Sequence, residues 1–244
     1  MNRAILPMLL GLSLAPVLCW AAEPKTEEAK AIAEIEKLGG KVTRDEKSPG
    51  KPVVSVDFSN TQITDPGLKC LQEMARLQGL NLGSSQVTDA GLERIKELTE
   101  IQWLGLANTR VTDAGLKHVK GLTQLKNLDL AATHVTDSGL EQIKALPQLE
   151  VLFLMDTKVT DAGLKHLGGL AQLQALFLYD TQVTDVGLEH LRGLTTLKGL
   201  HLVGTRVTDE GVRKLQRALP NCKIEWKPLT KHKRQSPAKP DQLR

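Results

Sequence analysis

The 244-residue sequence is poor in rings, with three Trp, three Phe and one Tyr. A globular core ordinarily uses aromatic side chains to fill irregular space, so something more uniform must fill this interior. Cysteine is scarce as well, at three residues, too few for a disulfide framework. Neither sign of charge dominates: 32 Lys and Arg stand against 28 Asp and Glu, a formal net charge of +4. Long apolar runs are missing beyond the first twenty residues, which excludes a polytopic membrane protein. A charged content of 25% beside 41% hydrophobic residues excludes a disordered chain. What is abundant is leucine, 42 residues of 244, and leucine in excess without rings points to an internal repeat.

The N-terminus reads as an export signal. Asn2-Arg3 gives a short positive start, Ala4 to Leu18 is apolar and uncharged, and Cys19-Trp20-Ala21 forms a small-x-small cleavage motif. Cleavage is expected after Ala21, with Ala22 as the alternative. The apolar run is too short to span a bilayer comfortably, and Pro16 and Leu18 ahead of Cys19 do not fit a lipoprotein signal. The mature chain is therefore expected to be exported and soluble, in the periplasm, cell envelope or extracellular space. From Pro228 onward Lys231, Lys233, Arg234, Lys239 and Arg244 face only Asp241, a net +4. With that tail and Arg3 set aside, the body carries −1. The basicity belongs to the tail, and a nucleic-acid-binding face on the body is not expected.

The segment Val-Thr-Asp-Ala-Gly-Leu recurs with its Asp at Asp65, Asp89, Asp113, Asp137, Asp161, Asp185 and Asp209, every interval being 24 residues. Seven uninterrupted copies mean a solenoid. The unit reads L-x-x-L-x-L-x-x-T-x-V-T-D-x-G-L-x-x-L, as in Ile101 to Leu116. Leu104-Gly105-Leu106 and Leu152-Phe153-Leu154 alternate with the period of a strand. Leu116 and Val119, or Leu164 and Leu167, are three apart, the spacing of a helix face. Each coil is thus one strand and one short helix, and stacked leucine columns fill the interior without large rings.

Pro66 in the first copy marks the start of the helix, which predicts that Asp65 and its equivalents are N-caps. Gly121, Gly169 and Gly193 stand where C-terminal caps are expected. The hydroxyl column Thr61, Ser85, Thr109, Thr133, Thr157, Thr181 and Thr205 follows each strand and is expected to satisfy backbone groups in the turn.

The pattern resembles leucine-rich repeat proteins over residues 53–226. The T-D-x-G-L element is similar to the subclass found in F-box-associated and related repeats and in many secreted bacterial ones. Thr or Ser stands here in place of the usual Asn. The resemblance implies an α/β fold: a right-handed horseshoe of seven repeats, with a concave parallel sheet and short convex helices. It also implies a binding module rather than an enzyme.

Around that solenoid the sequence predicts four segments: a signal peptide at 1–21, an N-terminal helical cap at 22–52, the repeats at 53–226, and a disordered basic tail at 227–244. In the cap, Ala31, Ile32, Ile35 and Leu38 lie at helical spacing, Gly39-Gly40 ends the helix, and Lys41-Val42-Thr43 can add a strand. At the far end Cys222, Ile224 and Trp226 alternate with Lys223 and Glu225, so a closing strand with its apolar face inward is expected. Cys70 and Cys222 lie about 30 Å apart at ~4.8 Å per strand, beyond disulfide reach. Cys70 shares a column with Arg94, His118, Gln142, His166, His190 and Lys214. That variety marks an exposed column and leaves Cys70 open to pairing between chains.

The outward strand positions supply the candidate site. Four of the remaining aromatics, Trp103, Phe153, Phe177 and Tyr179, fall on them, with Met155 and His201 nearby and Asp156 and Asp180 bordering. Clustered rings with a polar rim resemble a binding hot spot, while cross-strand pairing that only stabilises the sheet is the competing reading. The His118, His166 and His190 column is expected to face water on the helices rather than to hold a metal, and capping accounts for the Asp column without calcium. No nucleophile elbow, metalloprotease helix, P-loop or dinucleotide fingerprint is present, so neither enzyme activity nor a cofactor is expected.

The partner expected is a protein or peptide on the concave face of a monomer, with no nucleic acid and no membrane span. The alternatives are a structural envelope component tethered by the basic tail, and an adaptor of the F-box-associated ubiquitin-ligase type. The export signal and the lack of an F-box segment count against the adaptor.

Overall fold

Strand and helix alternate because each repeat switches hydrophobic period once, from two to about 3.6. The computed structural model describes residues 26–227; the expected export signal and the basic segment from 228 lie outside the described residues. Nine strands form one sheet in chain order. They are β1 (Lys41–Arg44), β2 (Val53–Asp57), β3 (Gly79–Asn81), β4 (Trp103–Gly105), β5 (Asn127–Asp129), β6 (Val151–Phe153), β7 (Ala175–Phe177), β8 (Gly199–His201) and β9 (Lys223–Glu225). β1 runs antiparallel to β2, and each later pair is parallel. Helix α1 (Glu27–Lys37) precedes the sheet, and a 3-10 helix (Asp65–Glu73) follows β2. Then come α2 (Asp89–Ile95), α3 (Asp113–Val119), α4 (Asp137–Ile143), α5 (Asp161–Leu164), α6 (Asp185–Glu189) and α7 (Asp209–Ala218). The chain is thus an α/β solenoid, its seven repeats being β2 to β8 with their helices.

Leucine columns fill the coil. Leu80, Leu104, Leu128, Leu152, Leu176 and Leu200 are wholly buried, each contributing roughly 1.5–3 kcal/mol. Val56 takes that place in the first repeat, and Phe58, two residues on in the column of Leu82, is buried too. It demands Gly40: a Cβ there would lie 2.5 Å from Phe58 Cε1 and 2.7 Å from Ile35 Cγ2. Ala31 and Ile35 of α1 join the core. At the other end Cys222 is buried, Ile224 and Trp226 pack against the core, and Trp226 Nε1 donates to the Val207 carbonyl at 3.0 Å.

Two capping expectations are corrected. The N-caps are Thr88, Thr112, Thr136, Thr160, Thr184 and Thr208, one residue before each Asp. The Thr hydroxyl accepts an N–H in the first turn, as Thr112 does from Ala114 at 3.2 Å. That frees the Asp, at the first helical position, to reach across to the next repeat. Asp89 accepts from Thr112 N at 2.8 Å and from Thr112 Oγ1 at 2.7 Å. The same pair of bonds recurs from Asp65 to Thr88 and on to Asp185 and Thr208.

The C-terminal caps are likewise not the expected glycines. Lys120, Lys144, Lys165 and His190 close the helices in right-handed conformation. Gly121, Gly169 and Gly193 have no left-handed φ and open space where a Cβ would be, so nothing at those positions requires glycine.

The first repeat departs from the others. Thr64 makes no side-chain cap bond, because the residue that would donate to it is Pro66, which has no N–H. The unit before it is the α1–β1 cap rather than a repeat, so no helix-start Asp reaches across to Thr64. Without either contact the segment is a 3-10 helix.

The buried hydroxyls behave as expected. Thr109, Thr133, Thr157, Thr181 and Thr205 each donate to the carbonyl three residues back at 2.6–2.8 Å. Cys70, expected in an exposed column, is half-buried against the core beside α1. Its Sγ donates to the Gly67 carbonyl at 3.0 Å, and burial pushes the thiol up to about 11.

The ladder also explains the glycine of the motif. A Cβ on Gly139 would lie 2.5 Å from Asp113 Oδ1. Gly139→Ala is therefore expected to destabilise by about 1–3 kcal/mol, although Ala outranks Gly in helices by about 1 kcal/mol. Asp113→Ala should also cost about 1–3 kcal/mol, as it leaves the N–H and hydroxyl proton of Thr136 without their acceptor. Urea unfolding of the double variant should show a loss smaller than the sum of the two.

Candidate functional site

Parallel, in-register strands place equivalent side chains side by side. The second outward position gives one row across five strands: Asp129, Phe153, Phe177, His201 and Glu225. Strand spacing of ~4.8 Å is close to the contact distance of stacked rings, so the rings stack along the row. Phe153 and Phe177 lie 4.5 Å apart at 15°, and Phe177 and His201 lie 4.3 Å apart at 6°. Tyr179, two residues on from Phe177, leans over both, 6.3 Å from Phe177 and 5.5 Å from His201.

A hydrogen-bonded triad closes one end of the row. The Tyr179 hydroxyl donates to Glu225 Oε2 at 2.8 Å and lies 2.8 Å from His201 Nδ1. That nitrogen is 2.7 Å from the same carboxylate oxygen. So short a contact with a carboxylate needs a proton on Nδ1, which makes His201 a donor to Glu225 and leaves the phenol to donate there too. The bonds from Tyr179 and His201 hold the Glu225 carboxyl below its ordinary value. Burial, and then the Glu225 carboxylate, push the Tyr179 phenol up. At the other end of the row burial raises the Asp129 carboxyl, partly offset by the bond it accepts from Ala131 N at 3.0 Å.

Phe153, Phe177, Tyr179 and His201 are thus brought together. Their rings are half-buried rather than water-facing, because each covers its neighbour's face. Met155 occupies the strand-end position one repeat before Tyr179 and is also half-buried. Trp103 stands apart: it lies two strands before Phe153, at the first outward position, with its ring over Gly105. Asp156 and Asp180 are exposed and take left-handed backbone, φ 54° each, a conformation Asp tolerates better than most residues. Asn60, Ser84, Asn108 and Ala132 adopt it at the same turn. Neither Asp forms an ion pair among the described residues.

The residue missing from the sequence reading is Glu225. Alternation along β9 placed it on the outward face, and its distance of 24 residues from His201 was the signal that put it in the row.

Among the described residues, no three His, Cys, Asp or Glu side chains are grouped to hold a metal ion. No helix among them is long and apolar enough to cross a membrane.

Tyr179 is the single tyrosine of the chain, so its ionisation can be followed by tyrosinate absorbance. The midpoint should lie above the ordinary value of about 10, and Glu225→Gln should move it back towards 10, though not fully, since burial remains. Any stability Tyr179 gains from the triad is present below its ordinary pKa and lost as pH rises through the raised one. For Glu225 the sign reverses: its contribution is present above its ordinary value and lost as pH falls through the lowered one.

The Leucine Rich repeat family model matches residues 52–71 and 193–215. No curated protein matches the chain. Among solved structures, an internalin C2 (inlC2) from Listeria monocytogenes is 27% identical with a TM-score of 0.60, over 82% of this chain and 82% of that one. An internalin (inlF) from the same organism is 20% identical with a TM-score of 0.60, over 83% of this chain. This chain spans only 55% of the inlF chain. The PEPR1–AtPEP1 structure matches at 19% identity and a TM-score of 0.50, over 75% of this chain and 25% of that one. The repeat, the matched segments at both ends of the solenoid and the shared architecture make this a protein of leucine-rich repeat fold.

Proposed function

We propose that the protein is an exported, non-enzymatic binding module that recognises a protein or peptide on the concave sheet. The observation that carries this reading is the row Phe153, Phe177 and His201 with Tyr179 against it, ending in Glu225. Rings and acids gathered on one stretch of an otherwise small-residue face give an anchor surface with a polar rim. Met155, Asp156 and Asp180 border it, and Trp103 extends the face towards β4. Export rests on the leader read from the sequence. The leucine-rich repeat fold commonly mediates protein binding, and PEPR1–AtPEP1 is a solved structure that shares it.

A second reading has its own support. The half-burial of the rings against one another is what cross-strand pairing alone would produce, and it favours a structural envelope component retained by the basic segment.

Immobilised wild-type protein and the Phe153→Ser, Tyr179→Ala double variant, offered the exported fraction, separate the two. Binding on the concave face predicts loss of capture with helicity kept and melting within a few degrees. Capture that survives the double substitution would sink the concave reading. Retention in the envelope that depends on 228–244 alone would favour the structural one.

A further inference from the structure

We propose that the basic segment 228–244 folds back within the same molecule onto the ring row, competing there with the protein or peptide that the face binds. This rests on reading the concave face as a binding surface.

Charge complementarity is the first argument. Five Lys and Arg stand against one Asp in 228–244, whereas the rest of the chain past the leader carries −1. Around the row the carboxylates are Asp129, Asp156, Asp180 and Glu225. The second and third outward positions from β5 to β8 hold no Lys or Arg, and the nearest cation on β9 is Lys223 at the first outward position, which already acts on Glu225. Lys198, at the margin of the sheet, is engaged with Gln174 Oε1 at 2.8 Å. Asp156 and Asp180 accept no ion pair among the described residues, so their charges are open to an incoming cation.

The shape of the surface suits long cationic side chains. Rings stacked face to face turn their edges outward, and edges carry no negative potential to attract a cation. They offer apolar ground for the methylene stems of Lys and Arg, whose charged heads then reach the flanking carboxylates. Asp156 and Asp180 sit at equivalent positions of adjacent repeats, ~4.8 Å apart, and Asp129 and Glu225 bracket the row over roughly 19 Å. About six extended residues cover that length, fewer than the stretch from Lys231 to Lys239.

Tethering is the second argument. The segment leaves β9 at Lys227, two residues after Glu225, which is itself part of the row. A ligand attached so close acts at an effective concentration on the order of millimolar, so a weak contact suffices to occupy the face.

The test uses the full chain with a photo-reactive residue at Ala238; the tether alone brings that position within reach of the row, so the five-Gln variant, which has the same tether, sets the background. Monomeric cross-links mapped by mass spectrometry should fall on the peptides holding β5 to β8. They should drop at least tenfold at ~0.5 M salt, or when Lys231, Lys233, Arg234, Lys239 and Arg244 are changed to Gln. Added 228–244 peptide should displace them, and its five-Gln counterpart should not.

Cross-links spread equally over the convex helices, cross-links only between chains, or cross-links indifferent to salt and charge would each overturn the proposal, as would transfer of the segment to anionic vesicles in place of the rings. The concave reading fails separately. Capture lost in the Phe153→Ser, Tyr179→Ala variant but unchanged by the five Gln substitutions leaves that reading standing and removes this one. Ring-directed cross-links without any captured partner remove the concave reading and, with it, the competition, and leave only the intramolecular contact.

Discussion

Between each pair of neighbouring repeats a single carboxylate holds two groups of one threonine, its backbone N–H and its hydroxyl. Hydrogen bonds to a charged acceptor contribute about 1.5–3 kcal/mol where they are shielded from water, and here they recur from Asp65 to Thr208. The bond fixes where each helix begins relative to the helix before it. The rest of the motif follows from that geometry. Threonine caps its own helix while being held by the previous repeat. Glycine stands two residues after the Asp because the neighbouring carboxylate occupies the space a Cβ would need. Leucine then enters the core directly behind it. Four of five successive residues are thus set by one inter-repeat contact, which gives a physical reason for spacing without insertions.

Fixed spacing has a consequence on the opposite face. Because every strand is in register with the next, whatever occupies the second outward position is repeated at strand spacing along the sheet. In the first repeats that position holds Asp57, Asn81 and Gly105, and the polar side chains turn back on their own backbone, as Asp57 does to Ser59 N and Asn81 to Gly83 N. From β6 onward it holds rings, which have no such use for the backbone and pack on one another instead. One face therefore divides into a polar half and a ring half without any change in the scaffold beneath, and the closing strand contributes Glu225 to the ring half.

The ends of the solenoid show what the ladder does by its absence. Thr64 has neither a preceding Asp nor an N–H to accept from, and its segment winds as a 3-10 helix. Beyond the last repeat β9 is held by the sheet, by Cys222 and by the Trp226 bond to Val207.

The repeat itself was legible because hydrophobic period and leucine spacing are properties of the chain in one dimension. Strands, helix faces, buried hydroxyls and the columns of outward residues can all be counted along it. The position of Glu225 in the ring row was countable too, by one more step of 24. The role of each aspartate was not, since capping and cross-repeat bonding both place an acid at the start of a helix, and only the distance to the next threonine tells them apart. Asp156 and Asp180 were legible as bordering acids, but not as left-handed turn residues. The sequence by itself determined the solenoid, its core and the rows of its concave face, because these depend on periodicity. Tertiary structure alone decided which rings stack, that Trp103 stands apart, and that tyrosine, histidine and glutamate meet at one oxygen. Those outcomes depend on strand spacing and side-chain direction, which no residue carries on its own.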